Sequence, residues 1–454
     1  MTDTLMVGIS GVRGIVGKDL TAEVVTRWAA GFGRWAAERR PLVVVGRDSR
    51  ISGPELAAAT RAGLLAAGCD VVDVGLVPTP TVQLAVLHHK AGGGIAVTAS
   101  HNPREWNALK FIGPDGIFLD AAAGATVQKL AGEDGGRRGR TGKVTEDTGA
   151  VERHIQDVLA MPVIDVARIR AQSFRVALDT VRGAGGVIMP GLLERLGCAV
   201  WGIDLATDGN FPRAPEPIPE HLGALDVAVR KSGAALGIAV DPDVDRLALV
   251  DETGTPIGED YTLAFAVRAV LGKGEGGREM GTPVVCNLST SLVVEDAARD
   301  YGAPVVRTPV GEAHVARKMV ELGAVIGGEG NGGVMYGPLH AGRDAPVAAV
   351  LVLDLLARSG RRVSDLVAAA PRYTIVKAKV ARGPALDRVY AALRRRFADA
   401  AVDTADGLRL GWRDRWLHVR PSNTEPIIRL IAEARTAEQA QQLVDEGRRL
   451  CAES

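Results

Sequence analysis

The chain has 454 residues, 46% hydrophobic and 24% charged, with 54 Lys+Arg set against 54 Asp+Glu. That balance excludes a broad basic face for nucleic acid and an acidic tail, so any anion binding must be local. No basic-then-apolar segment opens the chain and no apolar run approaches bilayer length, so a soluble, cytoplasmic protein without a membrane contact is expected. At roughly 100 to 200 residues per domain, the length predicts three or four domains. Cys69, Cys198, Cys286 and Cys451 lack the paired spacing of a zinc or dithiol site and read as small core residues in a reducing compartment.

In chain order, Gly8-Ile-Ser-Gly-Val-Arg13-Gly14 is a glycine-rich loop around one arginine. Leu42–Gly46 reads as a strand with Arg47-Asp-Ser-Arg50 as its polar exit, Glu55–Ala67 as a helix ended by Gly68, and Val71–Val74 as a strand. Ile95–Val97 is a short buried strand. It is stopped by Thr98-Ala-Ser-His-Asn-Pro103, which places Ser100 on a loop at a strand end. The glycine-rich stretch 132–142 reads as an exposed loop near the end of a first domain. Arg175–Asp179, Gly183-Ala-Gly-Gly186 and a strand ending at Asp204 have the outline of a dinucleotide fingerprint. Ile188 stands where its third glycine is needed, so nicotinamide is not expected.

Asp241-Pro-Asp243-Val-Asp245-Arg246 follows the apolar run Ala235–Val240. In an extended segment, residues two apart point to one side, so the three carboxylates are expected to converge. They would repel one another without a divalent cation, and an all-oxygen set suits Mg²⁺. A third α/β unit spans Pro283–Asn287, helix Val293–Asp300, Val305–Gly311, a helix from Glu312, and Ala324–Glu329, followed by a helix Leu351–Arg358. From Arg372 the pattern becomes strand, helix, strands, helix, the outline of an antiparallel α+β domain, with a capping-box start at Thr436-Ala-Glu-Gln439. Arg420-Pro-Ser422-Asn423-Thr424-Glu-Pro426 offers a guanidinium, hydroxyls, an amide and backbone N–H groups to a phosphate, with Arg429 in the next strand.

Four of these motifs together resemble the α-D-phosphohexomutase family: Thr98–Pro103 with Lys110, Asp241–Arg246, Gly327-Gly-Glu329-Gly-Asn331-Gly-Gly333, and Arg420–Pro426. The resemblance implies four domains, three mixed α/β and a C-terminal α+β lid. They are placed at 1–155 with the phosphoserine loop, 156–255 with the metal loop, 256–370 with the sugar loop and 371–454 with the phosphate loop. It implies that hexose 6-phosphate and hexose 1-phosphate are interconverted through phosphoserine 100 and a hexose bisphosphate, which also serves as activator. Mg²⁺ would be held by Ser100, Asp241, Asp243 and Asp245. Lys110 would carry the proton, His101, Arg13 and Arg246 would assist, Glu329 and Asn331 would bind the sugar, and Arg420, Ser422, Asn423, Thr424 and Arg429 its phosphate. The partner implied is a phosphosugar, the assembly a monomer or homodimer.

Many relatives have serine at position 331 and histidine at position 333, where this chain has Asn and Gly. His340 is the candidate replacement for the missing histidine. The variant loop leans towards glucosamine phosphate, with mannose or glucose phosphates as the alternative. A metal-dependent sugar phosphatase or a non-catalytic phosphosugar binder is the more distant reading.

Overall fold

The computed structural model describes residues 5–133, 141–273, 281–381, 386–422 and 427–453. Among these residues twenty strands form four sheets. The first contains β1 (Met6–Gly8), β2 (Gly11–Ile15), β3 (Leu42–Arg47), β4 (Asp70–Leu76), β5 (Gly93–Val97), β6 (Trp106–Ile112) and β7 (Val144–Glu146), in the order β1-β2-β6-β5-β3-β4-β7. The second contains β8 (Arg175–Asp179), β9 (Ala199–Ile203), β10 (Leu236–Val240) and β11 (Leu247–Val250), in the order β11-β10-β8-β9. The third contains β12 (Val284–Asn287), β13 (Val305–Thr308), β14 (Ile326–Glu329) and β15 (Gly333–Tyr336), in the order β13-β12-β14-β15. The fourth, with β16 (Thr374–Ala381), β17 (Ala401–Asp403), β18 (Leu408–Gly411), β19 (Trp416–Pro421) and β20 (Ile427–Ala434), is antiparallel throughout in the order β16-β20-β19-β18-β17. Three mixed α/β sheets and an antiparallel α+β domain are the expected fold class.

The strands at the centre of the first three sheets are parallel and buried on both faces, which is why they read as continuous apolar runs. The second and third sheets share one apolar core, running from Ile155, Val176 and Leu192 to Leu263, Val350 and Leu366. Helix Ala345–Ser359 threads it and is buried almost all round. Each fully buried Leu or Val there contributes about 1.5 to 3 kcal/mol. The helix begins six residues before the expected Leu351. Asp344 accepts the Val347 N–H at 3.0 Å as N-cap, and Pro346 sits in the first turn, where its missing N–H costs nothing. At Thr436, only the half of the capping box in which Gln439 N donates to Thr436 Oγ1, at 3.3 Å, is present.

One feature of this topology places the site. In each of the first three sheets a parallel strand turns back into an antiparallel neighbour: β5 into β6, β10 into β11, β14 into β15. The connections carry Ser100, the three aspartates, and Asn331. The fourth motif lies in the same position between β19 and β20. The first three are hairpin connections, and such loops carry side chains without taking backbone from the core.

Candidate active site

Ser100 is buried at the end of β5 in a left-handed backbone conformation, φ +50°, a strained state for a serine that the surroundings must enforce. Arg50 enforces it. Its guanidinium donates to the carbonyls of Ser100 (2.6 Å), Asn102 (2.7 Å), Pro103 (2.7 Å) and Trp106 (2.9 Å), and its Nε to Asp48 Oδ2 (3.1 Å). Asp48 also receives Thr98 Oγ1 at 2.6 Å, and Thr98 Oγ1 accepts the Ser100 N–H at 3.0 Å. Arg47–Arg50 was expected as a polar exit; Asp48, Ser49 and Arg50 are instead buried.

The expected extended geometry of the aspartate loop is not what forms. Residues 241–246 make a turn in which Asp241 Oδ1 accepts the N–H groups of Asp245 (3.1 Å) and Arg246 (3.2 Å), and Val244 takes φ +64°. Aspartate bonding its own downstream backbone outcompetes extension. The carboxylates converge nonetheless, with ligand oxygens of Asp241, Asp243 and Asp245 within 4.8 Å of one another. Asp243 Oδ1 and Asp245 Oδ1 are buried with no hydrogen-bond partner among the described residues. Orphaned anionic oxygens that close together fit a hard divalent cation. Ser100 Oγ donates to Asp241 Oδ2 at 2.9 Å, placing the hydroxyl at the edge of that cluster.

Burial, then Asp245 and Asp243, push the Asp241 carboxyl well above the usual carboxylate range. Asp243 goes the other way. Burial would raise it, but Lys110 Nζ at 2.6 Å and Thr79 Oγ1 at 2.6 Å hold it below the usual range. Lys110 also meets Asp245 Oδ2 at 3.3 Å. Burial opposes its charge, the two aspartates outweigh burial, and its pKa is raised. The expected proton-carrier role asks for a depressed value; paired in this way, Lys110 is an ammonium.

His101 Nδ1 lies 3.3 Å from Ser100 Oγ, and burial followed by the charge of Arg246 pushes its pKa down to about 2, so the imidazole is neutral. Arg246 is held by Glu216 at 2.9 Å, and Arg13 donates to Asn102 Oδ1 at 2.9 Å. Both guanidiniums therefore border the Ser100 and aspartate loops.

Glu329 is buried at the end of β14. Its Oε1 accepts from Asn287 Nδ2 (2.8 Å) and Gly311 N (3.1 Å), and its Oε2 from Arg343 Nη1 (2.8 Å). Asn331 Oδ1 accepts the Gly333 N–H at 3.2 Å. The sugar loop is joined directly to the metal loop, since Leu247 N donates to Gly332 O at 3.0 Å. A cavity of about 720 Å³ opens between the β1–β2 turn and the start of helix Glu312–Leu322, lined by Ser10, Phe118, Gly311, Glu312, His314 and Arg317 among others. His340 does not replace the missing histidine. Its Nε2 bonds Asp344 Oδ2 at 2.9 Å, on the oxygen that His154 Nε2 meets at 2.8 Å.

In the lid, Arg420 on β19 stands opposite Arg429 on β20, which stands opposite Lys379 on β16. Directly paired residues share a face, so three cations line one side of the sheet while Val419, Leu430 and Ala378 face its core. Arg420 Nε pairs with Asp406 Oδ2 at 3.0 Å, though without a linear hydrogen bond. Ser422 is buried with its N–H on Ile427 O at 2.9 Å. Asn423 and Thr424 lie outside the described residues.

Sequence reading missed Arg50, Glu312, Arg343 and Lys379. Arg50 and Arg343 sit in arginine-aspartate pairs at element ends, a weak signal; Glu312 and Lys379 offer none without strand register and packing. Gly183 opens the stretch with the outline of a dinucleotide fingerprint. A Cβ there would lie 2.6 Å from Pro242 Cα, so it serves the close packing of the metal loop.

Comparisons with known proteins agree with this arrangement. Models for phosphoglucomutase/phosphomannomutase alpha/beta/alpha domains I, II and III match residues 4–135, 152–254 and 258–373, and the model for the C-terminal domain matches 375–450. A phosphoglucomutase/phosphomannomutase of Thermococcus kodakarensis is 38% identical over 98% of both chains. A Methanopyrus kandleri protein named "Probable phosphoglucosamine mutase" is 36% identical over 97% of this chain and 96% of its own. The crystal structure of a phosphoglucomutase/phosphomannomutase family protein from Burkholderia thailandensis superposes with a TM-score of 0.85 at 28% identity, covering 97% of this chain and 96% of the other. Matched in all four domains and over nearly its whole length, the chain belongs to the phosphoglucomutase/phosphomannomutase family and is a phosphohexomutase.

Proposed function

We propose that this enzyme interconverts hexose 6-phosphate and hexose 1-phosphate through a phosphorylated Ser100. The observation that carries the reading is Ser100 Oγ at 2.9 Å from Asp241, inside a buried carboxylate cluster in which two oxygens accept no hydrogen bond among the described residues. Phosphoserine 100 gives its phosphoryl group to the free hydroxyl of the monophosphate, forming a hexose bisphosphate and freeing the serine hydroxyl. After the sugar reorients, the other phosphoryl group returns to Ser100. Mg²⁺ on Asp241, Asp243 and Asp245 would neutralise charge developing on the transferred group.

The protein's own residues do the rest. Arg50 holds the serine loop in its strained shape, and neutral His101 orients the hydroxyl. Arg13 and Arg246 supply positive charge at the rim. With Mg²⁺ on Asp243 and Asp245, Lys110 would lose the two partners that keep it an ammonium; as the neutral amine Lys110 takes the proton of the attacking sugar hydroxyl, and as the ammonium it returns that proton to the sugar oxygen in the second transfer. Glu329 and Asn331 hold the sugar, and the lid cations Arg420 and Arg429, with Ser422, Asn423 and Thr424, bind the phosphate that is not reacting.

Glucosamine phosphate is the preferred hexose in this reading. The Glu329-Gly-Asn331-Gly-Gly333 form of the sugar loop and the name of the Methanopyrus relative favour it. The name of the Thermococcus relative favours mannose or glucose phosphates as the second reading. The test is a panel of glucosamine, glucose and mannose 1- and 6-phosphates with catalytic bisphosphate, alongside intact mass of the purified enzyme. Turnover of a hexose phosphate, with one phosphate on wild type and none on Ser100→Ala, is expected. Free phosphate release in place of isomerisation would make it a phosphatase.

A further inference from the structure

Position 333 lacks a side chain because of a neighbour far from it in the loop. A Cβ on Gly333 would overlap Arg343 Cδ. The Cγ–Cδ stem of Arg343 fills that space, and each nitrogen of its buried guanidinium ends on a carboxylate from a different segment. Nη2 meets Asp245 Oδ2 of the metal loop at 2.7 Å, Nε meets Glu312 Oε2 at the start of helix Glu312–Leu322 at 3.0 Å, and Nη1 meets Glu329 Oε2 of the sugar loop at 2.8 Å. Its backbone is fixed as well. The Arg343 N–H donates to Glu312 Oε1 at 3.3 Å, and Asp344 caps the next helix while holding His154 and His340. Only a planar fork can join three carboxylates in fixed directions; a lysine offers a single point charge.

We propose that Arg343 is a positioning residue that couples the metal loop to the sugar loop, and that Gly333 is glycine to admit it. The proposal rests on the phosphohexomutase reading of those two loops. With Asp245 Oδ2 engaged by the fork, Oδ1, which accepts no hydrogen bond among the described residues and has only Arg246 Nε at 3.8 Å, is the oxygen left for a cation. With Glu329 Oε2 engaged by the same fork, the sugar-facing carboxylate is ordered too. A cation on Asp245 takes up negative charge that the guanidinium otherwise shares, leaving the fork to hold Glu329 more firmly in its sugar-facing orientation, so cation and hexose phosphate favour each other's binding.

The test is calorimetric titration of Mg²⁺ into the full-length protein, with and without saturating glucosamine 6-phosphate or glucose 6-phosphate. In wild type the sugar phosphate is expected to tighten Mg²⁺ about tenfold, within the usual range for coupled sites. Arg343→Lys keeps the charge and loses the fork, and Gly333→Ala changes no charge but displaces the guanidinium. Both should reduce the coupling to within about twofold of none. Arg343→Ala would leave three buried carboxylates unpaired and is expected not to fold, so it is not used. A purely structural arginine would lower the melting temperature of both variants and leave the coupling intact, which overturns the proposal. Wild type that binds sugar phosphate without any change in Mg²⁺ affinity overturns it too, with the mutase reading untouched. Wild type that binds no hexose phosphate overturns the mutase reading and this proposal together.

Discussion

Arg420 and Arg429 stand directly opposite each other across β19 and β20. Like charges so placed destabilise a sheet, and here Lys379 extends the row. A bound dianion reverses the sign of that interaction. Arg420→Ala should therefore raise KM for the monophosphate about ten- to a hundredfold, since a charge-assisted hydrogen bond is worth roughly 1.5 to 3 kcal/mol. The kcat should change less, because the contact is present in ground and transition states alike. Initial-rate kinetics decide it; an unchanged KM would move the phosphate elsewhere.

Arg50, itself buried, satisfies four carbonyl oxygens of the serine loop and pairs with the buried Asp48. Arg50→Ala leaves a buried carboxylate without its partner and should cost about 3 to 5 kcal/mol of stability. Arg50→Lys cannot reach all five acceptors and should recover stability in part, with kcat still reduced. Urea unfolding and turnover measured on the same variants test this. Full activity in Arg50→Lys would show that the loop holds its own shape.

Lys110→Met should slow phosphoryl transfer to sugar by roughly 10² to 10⁴, the usual contribution of a general acid or base. Loss of the phosphoryl group from Ser100 to water should persist near the wild-type rate, since water exchanges its proton with bulk. Single-turnover measurements separate the two. An equal fall in both would assign Lys110 to electrostatic support of Asp243 and Asp245, which it already touches at 2.6 and 3.3 Å.

His418 bridges the third sheet's side of the molecule to the lid, with Nδ1 2.8 Å from Ser289 Oγ and Nε2 2.7 Å from Asp406 O. Burial pushes its pKa from 6.5 down to about 4. Between those values the unfolded chain holds a proton that the folded protein refuses. Its contribution is thus present in full above about pH 6.5 and is lost as pH falls towards 4, by up to about 1.4 kcal/mol per unit. Asp260, pushed up to about 8 by burial, has the opposite slope, so the difference between wild type and His418→Gln is the quantity to follow. Urea unfolding at pH 7.5 and 5 should show the gap narrowing in acid. Parallel profiles would place His418 in a solvated setting.

The four motif loops were legible in the sequence because each is a local event. An apolar strand ends, small and polar residues bend the chain back, and the side chains on that bend need no distant partner to be found. Ser100 and the three aspartates sit on such bends, and Glu329 and Arg420 stand in the closing residues of strands. Even there, the convergence of the aspartates was anticipated from strand alternation, while the protein achieves it through a turn closed by Asp241 on its own backbone. Tertiary structure alone decided the rest. Arg50 reaches a loop fifty residues away, Arg343 spans three segments up to 98 residues distant, and Lys379 joins the lid's cationic row through strand register. His340, close in sequence to the sugar loop, turns away to Asp344, and the bare Gly333 makes sense only with Arg343 lying across it. A long side chain's partner is set by which elements pack together, and that information is spread over the whole chain.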